Sequence, residues 1–518
     1  MTFEIVFVLL SLLGMVAALI ADKMRPGMIL FSVVVLFLCA GILTPKEMLE
    51  GFSNKGMITV ALLFLVSEGI RQSGTLGQVI KKLLPQGKTT VFKAQLRILP
   101  SVAFISAFLN NTPVVVIFAP IIKHWAKSVN LPATKFLIPL SYVTILGGIC
   151  TLIGTSTNLV VHGMILEAGF EGFSMFELGK VGIFIAIAGI IYIFLFSKRL
   201  LPDARPDTAV PDEEVEEGEK LHRVEAVLGA RFPGINKKLK DFNFQRHYGA
   251  EVKEIKTRNG QRFVSNLEEV VLHEGDTLVV MADDTFIPTW GESSVFVLLT
   301  NGNEPDTTGK KKKRWFALLL LVLMIVGATV GELPITKEMF PDIKLDMFFF
   351  VSITTIIMAW TNLFPARKYT KYISWDILIT IACAFAISKA MVNSGVADSV
   401  AKFIIRLSDD YGPHVLLAMV FIITNLFTEL ITNNAAAALA FPLALSISAQ
   451  LGVSPTPFFV VICMAASASF STPIGYQTNL IVQGIGNYKF TDFVRIGLPL
   501  NIITFLISII LIPLIWNF

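Results

Sequence analysis

Long apolar runs with few charges alternate along this chain with short polar connectors, and the runs fall into two sets on either side of one charged stretch. A membrane-spanning helix needs about 20 mostly apolar residues. Spans are therefore predicted at about 4–21, 28–43, 57–78, 135–165 and 180–200, and again at about 315–333, 345–364, 374–394, 456–485 and 493–517. Two further apolar stretches, about 97–122 and 413–449, carry Asn-rich dipeptides and prolines in mid-segment. A polar break inside lipid is unfavourable unless its backbone lines a protein-buried cavity, so these two are read as re-entrant hairpins. Five crossings and one hairpin then lie on each side of the charged stretch. Five is odd, so the second half enters the membrane from the opposite face.

Charge tests that topology. With the charged stretch inside, the cytoplasmic connectors hold 22 Lys and Arg, in clusters such as Lys81, Lys82, Lys88, Lys93 and Arg97 or Arg367, Lys368 and Lys371. The outer connectors hold 7, namely Lys46, Lys55, Lys180, Lys337, Lys344, Lys402 and Arg406. This satisfies the positive-inside rule along the whole chain and puts both termini outside. The N-terminus has an acidic Glu4 and no basic leader, which points to a first membrane helix and not a cleaved signal. Hydrophobic residues make up 54% of the 518, above the range of soluble proteins. Net charge of +4 averages two solvents and suggests no nucleic-acid surface. Cys39, Cys150, Cys383 and Cys463 lie in apolar segments without CxxC spacing and read as small core residues.

The halves also resemble each other. Thr151–Gly163 (TLIGTSTNLVVHG) aligns with Thr472–Gly484 (TPIGYQTNLIVQG) at 8 of 13 positions, offset 321. At the same offset Ser67, Ser73 and Gly74 meet Ser388, Ser394 and Gly395. In the hairpins, at 322, Ser106 meets Thr428, Asn111 meets Asn433 and Pro120 meets Pro442. The expected fold is thus a polytopic α-helical membrane protein: an inverted-topology repeat with two re-entrant hairpins and interrupted helices, plus a small soluble α+β insert. Such repeats characterise secondary transporters, which bind substrate near the midplane where interrupted helices meet.

The hairpins carry FISAFLNNTP (Phe104–Pro113) and LFTELITNNAAAA (Leu426–Ala438), and the interrupted helices carry GTSTN (Gly154–Asn158) and GYQTN (Gly475–Asn479). Carbonyls freed at a break, with Ser, Thr and Asn oxygens, suit a hard cation such as sodium. Half-helix N-termini suit an anion. No Lys or Arg lies in the four motifs, so dipoles, amides and hydroxyls would hold it. Bound sodium would add positive field, and each solute would raise the other's affinity. Hydrogen bonding between helices is the alternative for any single one of these residues. Glu68, Glu429 and Lys389 are intramembrane charges, functional candidates or helix-packing ion pairs.

Domain boundaries follow from composition: 1–202 first membrane repeat, 203–224 acidic linker, 225–301 cytoplasmic insert, 302–314 basic linker, 315–518 second membrane repeat. Within the insert, short β-branched runs alternate with turn residues, and Asn259-Gly260 is a hairpin signal.

At these residues the chain resembles the divalent anion:sodium symporter family. Its hairpin signature is Ser-Asn-Thr with a proline ten residues after the Ser; here stand Asn110-Asn111-Thr112 and Thr432-Asn433-Asn434, with Pro120 and Pro442. GTSTN matches its Gly-Thr-x-x-Asn motif. The resemblance implies sodium ligands from Ser106, Asn110, Asn111 and Gly154, and from Thr428, Asn433 and the Thr472–Gly475 break. It implies anion contacts from Asn111, Thr112, Thr155, Asn433 and Asn434. A homodimer with an elevator movement is implied too, with sodium as coupling ion and no other cofactor. Asn110 and Asn434 replace the family's Ser and Thr, and the second Gly motif differs, which puts a dicarboxylate in doubt. The insert resembles the C-terminal ligand-binding (RCK-C-like) domain of potassium-conductance regulators, at LKDFNFQRHYGAEVKEI and LHEGDTLVV. Family members with such inserts resemble sulfate permeases, so sulfate is favoured over a dicarboxylate, and the insert is expected to bind a small molecule or nucleotide.

A sodium-independent or proton-coupled permease of arsenite type is the alternative. A regulated channel ranks behind it, since no TVGYG-like filter is present. An enzyme is not expected: HExxH and GxSxG are missing. The expected location is the plasma (inner) membrane.

Overall fold

The computed structural model describes residues 3–21, 24–203, 221–229, 232–257, 261–283, 286–290, 295–300, 311–340, 342–407 and 412–518. Apolar sequence becomes helix almost throughout. The first half supplies α1 (Phe3–Ala21), α2 (Pro26–Cys39), α3 (Lys55–Gln72), α4 (Val91–Ser106), α5 (Asn111–Ser128), α6 (Thr134–Gly148), α7 (Ser156–Glu167) and α8 (Gly179–Leu200). The second half repeats the order with α9 (Lys311–Gly331), α10 (Met347–Trp360), α11 (Trp375–Asn393), α12 (Gly412–Leu430), α13 (Asn433–Leu451), α14 (Thr456–Ser467), α15 (Gln477–Gly486) and α16 (Phe490–Ile515). Among the described residues, eight helical stretches are long and apolar enough to cross a membrane.

Packing repeats in the same sense. Helix α3 packs on α10 while its counterpart α11 packs on α2; α5 packs on α15 while α13 packs on α7. Each half is therefore built into the other, and most apolar side chains join one core, with a second around α1, α2, α11 and α13.

Both regions read as hairpins are helix–break–helix units. Helix α4 ends at Ser106 and α5 starts at Asn111; α12 ends at Leu430 and α13 starts at Asn433. Arms α12 and α13, 19 residues each, are by length and composition also able to cross. The helix in the predicted span 57–78 ends before that span does. Helix α3 stops at Gln72, where Gly74 takes φ +72°, and Gly395 takes φ +75° after α11. Only glycine adopts that conformation at no steric cost, so the chain turns there into a short amphipathic helix, Thr75–Leu83 or Val396–Leu407.

The insert contains a five-stranded antiparallel sheet of order β3-β2-β4-β1-β5, from β1 (His222–Leu228), β2 (Glu251–Lys256), β3 (Arg262–Phe263), β4 (Thr277–Ala282) and β5 (Phe296–Thr300). Strand β1 starts inside the stretch expected as acidic linker, and α9 starts inside the expected basic linker. Lys256 pairs with Arg262 across a hairpin whose expected turn, Asn259-Gly260, lies outside the described residues. Phe232, Phe242, Phe244, Tyr248 and Phe296 form the insert's aromatic core.

The sheet sits against the membrane half-helices. Lys123 of α5 donates to Glu225 of β1 at 2.9 Å. A Cβ on Gly484 of α15 would lie 2.5 Å from Thr277 Oγ1, so glycine permits the close approach of α15 and β4.

Candidate functional site

Four helices begin at the centre of the bundle: α5 at Asn111, α7 at Ser156, α13 at Asn433 and α15 at Gln477. Each starts where the sequence places an Asn, Thr or Gly break, because those residues tolerate the non-helical backbone that precedes a helix. An N-terminus carries roughly +0.5 elementary charge in unpaired N–H groups, so four sum to about +2 before screening.

The first break builds an oxygen cluster. Asn111 and Ser106 are fully buried. With the Asn111 amide oriented to satisfy its neighbours, its nitrogen reaches Ser106 Oγ (2.8 Å) and the Thr144 and Gly154 carbonyls (3.1 and 3.2 Å). Its oxygen accepts from the Tyr476 hydroxyl at 2.6 Å. That amide position thus faces three oxygens. A cation could hold the amide's oxygen inward instead, since all four oxygens are neutral, hard donors. In the second half, Thr428 Oγ1 bonds Asn433 Oδ1 at 2.9 Å and the Ala466 carbonyl at 2.6 Å.

The hydrogen bonds that hold the breaks open recur at the repeat offsets. Gly154 N donates to Thr151 Oγ1 and Gly475 N to Thr472 Oγ1, both at 3.2 Å. Thr151 Oγ1 donates to the Ala107 carbonyl, and Thr472 Oγ1 to the Glu429 carbonyl. Asn158 donates to the Thr151 carbonyl at 2.8 Å and Asn479 to the Thr472 carbonyl at 3.1 Å. A Cβ on Gly475 would fall 1.9 Å from Ser469 Oγ, and one on Gly154 2.5 Å from the Gly148 carbonyl, which is why glycine stands at both.

The halves meet tip to break. Thr112 Oγ1 donates to Gln477 at 3.2 Å, and Thr155 Oγ1 lies 3.1 Å from the Tyr476 hydroxyl. Reciprocally, Asn434 Oδ1 accepts from Ser156 (3.3 Å) and Thr157 (3.2 Å). Of the expected residues, Ser106, Asn111, Gly154 and Thr155 gather around the first break, and Thr428, Asn433, Thr472 and Gly475 around the second. Thr112 and Asn434 join them across the halves. Asn110 does not join its cluster: it caps α5 without a side-chain bond and lines a narrow cleft with Ser67 and Ser156.

Tyr476 is the residue that sequence reasoning missed. Its signal was the repeat itself, since Tyr476 stands at the position of Thr155, and it sends a hydroxyl back into the first half's cluster. Of the intramembrane charges, Glu68 pairs with Arg71 one turn on at 2.6 Å, and Lys389 is exposed. Glu68 is accounted for by that own-helix ion pair. Glu429 instead lies beside the second break.

Two interleaved halves of membrane helices, with broken helices converging by their N-termini, define a multi-pass membrane transporter. The chain belongs to the citrate transporter family, whose profile matches residues 16–439 and 335–517. It is 30% identical to the uncharacterized transporter sll0640 of Synechocystis over 570 aligned positions, 94% of this chain and 93% of that protein. It is 33% identical to sodium/sulfate cotransporter 1 of Chlamydomonas reinhardtii over 55% of this chain and 32% of that one. It is 24% identical to the sodium-dependent dicarboxylate transporter SdcS of Staphylococcus saprophyticus over 28% of each.

Proposed function

We propose that this transporter carries a small divalent anion, sulfate ahead of a dicarboxylate, coupled to sodium. The observation that carries the reading is the reciprocal bonding of each hairpin tip to the other half's broken helix. It leaves one anion-attracting centre flanked by two neutral oxygen clusters. Sodium would occupy those clusters: Ser106, Asn111 and Gly154 with the Thr144 carbonyl, and Thr428 and Asn433 with the Ala466 carbonyl. Asn110, Thr472 and Gly475 would shape them. The anion would be held by Asn111, Thr112, Thr155, Asn433 and Asn434 and by the four N-termini, with no fixed cation needed.

Tyr476 supports a small oxyanion. Its ring fills space that a threonine would leave open, and its hydroxyl is a donor suited to a tetrahedral oxygen. The named sulfate and dicarboxylate relatives support the same substrate class.

On this reading the halves are an inverted-topology repeat and the two hairpins are re-entrant. The protein works as a homodimer by elevator-type alternating access in the plasma membrane. The insert is cytoplasmic, both termini are outside, and the insert takes a small ligand.

The test is thermal unfolding of purified protein in sodium and in potassium at constant ionic strength, with and without sulfate. Sodium should raise the transition temperature, and sulfate should raise it further only in sodium. Asn111→Ala and Asn433→Ala should each weaken the sodium effect at least tenfold in concentration. Equal stabilisation by potassium would overturn the coupling and favour the sodium-independent permease.

A further inference from the structure

Glu429 is a carboxylate in a membrane helix beside the site, and among the described residues no Lys, Arg or His forms an ion pair with it. On α12 it accepts at Oε1 from the Ser471 N–H (2.9 Å) and from the Asn501 amide (2.7 Å) of α16. The same Asn501 nitrogen donates to Ser471 Oγ at 2.8 Å. Glu429 Oε2 and Asn501 Oδ1 are both shut off from solvent with no hydrogen-bond partner among the described residues. Asn501 is only 6% exposed.

A buried carboxylate with an unmet oxygen beside an amide with an unmet oxygen is an acceptor-rich spot in a low-dielectric bundle. Such groups are costly unless paired or bound to a metal ion. Among the described residues, Lys, Arg and His do not supply the pairing. Helices α13 and α14, packed against α12, carry no Lys, Arg, His, Asp or Glu, and the titratable side chain on them is the Cys463 thiol, which brings no positive charge. Helix α16 carries only Asp492 and Arg495, in its first turns, and α12 only His414 at its other end. Tyr142 of α6 is near, but its hydroxyl donates to the Phe470 carbonyl at 2.6 Å.

We propose that Glu429, Asn501 and Ser471 form a third, charge-bearing sodium site. A half-turn of the Asn501 amide would point its oxygen at Glu429 and Ser471, giving carboxylate, amide and hydroxyl oxygens around one ion. The site has no counterpart in the first half, where Ala107 and Cys150 stand at the positions of Glu429 and Ser471. It adjoins the second oxygen cluster, because Glu429 follows Thr428 and its carbonyl accepts from Thr472. An ion here would therefore couple to the one at Asn433, whereas the Asn111 cluster would fill independently. This rests on the sodium reading above.

The measurement is equilibrium binding of radioactive sodium to the purified full-length protein, counted per chain. Wild type should bind three ions and Glu429→Gln two, with Glu429→Asp retaining the third. Glu429→Gln keeps the shape and the Oε1 acceptor, so a monodisperse elution profile is expected. The wild-type count is itself informative, since the two neutral clusters alone would bind two ions. A count of two in wild type, or the same count in wild type and Glu429→Gln, overturns the site and leaves the Asn111 and Asn433 clusters standing; Glu429 then holds a proton. No sodium on the wild type overturns both.

Discussion

Lys123→Met is expected to loosen the insert from the membrane helices. Lys123 sits near the end of α5, whose first residue is Asn111, and donates to Glu225 at 2.9 Å. Lys256 approaches the other carboxylate oxygen at 3.4 Å. Lys123, Glu225 and Lys256 are 23%, 14% and 6% exposed, so water screens them little. Burial by itself would raise the Glu225 carboxyl, yet Lys123 first and Lys256 second bring it down from 4.5 to about 2. A fall from 4.5 to about 2 favours the charged form by on the order of 3 kcal/mol. Removing one partner of a buried pair costs roughly 3–5 kcal/mol when the other is stranded. Lys256 remains to hold Glu225, so about 2 kcal/mol is expected for Lys123→Met, roughly a 30-fold shift toward the undocked state. Hydrogen exchange at neutral pH reads this directly: amides of β1 and β4 and of the end of α15 should exchange about 30-fold faster. Because the carboxyl is lowered in the folded protein, its contribution is complete above pH 4.5 and is lost as pH falls toward 2. Exchange in Lys123→Met that overlays wild type at neutral pH would refute the latch.

Other perturbations follow from the site. Gly475→Ala should abolish sodium stabilisation and lower the melting temperature by several degrees, because its Cβ would sit 1.9 Å from Ser469 Oγ. Tyr476→Phe, which strands the Asn111 oxygen and Thr155, should weaken sulfate binding about 10-fold, the equivalent of ~1.4 kcal/mol. Sulfate titrations followed by melting temperature would show it. Tyr476→Thr should shift competition toward succinate by opening the space its ring fills; unchanged selectivity would mean the ring does not bound the substrate. Glu68→Gln, within its own-helix pair to Arg71, should change transport less than twofold, as uptake rates would report.

Which parts were legible in the chain depends on which force sets them. Lipid selects length and apolarity, so every expected span holds a helix. The Asn-rich interruptions were readable because polar residues at mid-segment need a structural reason. Backbone conformation was less legible: the span expected over 57–78 ends as a helix at Gln72, where Gly74 takes a left-handed conformation. Equivalent chemistry was visible where residue types repeat, as with Ser106 and Thr428 or Asn111 and Asn433. It was hidden where they differ. Tyr476 in place of Thr155 showed in the sequence only as a difference in the second Gly motif, yet its longer side chain delivers a hydroxyl to the opposite half. Side-chain direction was not readable either, so Asn110 looked equivalent to Asn111 although it lines a different cleft. The docking of the insert depends on Lys123 and Glu225, residues 102 apart that no local pattern connects.

The most direct test is uptake of radiolabelled sulfate into proteoliposomes holding the wild-type protein, with an inward sodium gradient and with sodium replaced by potassium. The account predicts accumulation that requires sodium, collapses when the gradient is dissipated and is lost in Asn433→Ala. Equal accumulation in potassium would contradict it.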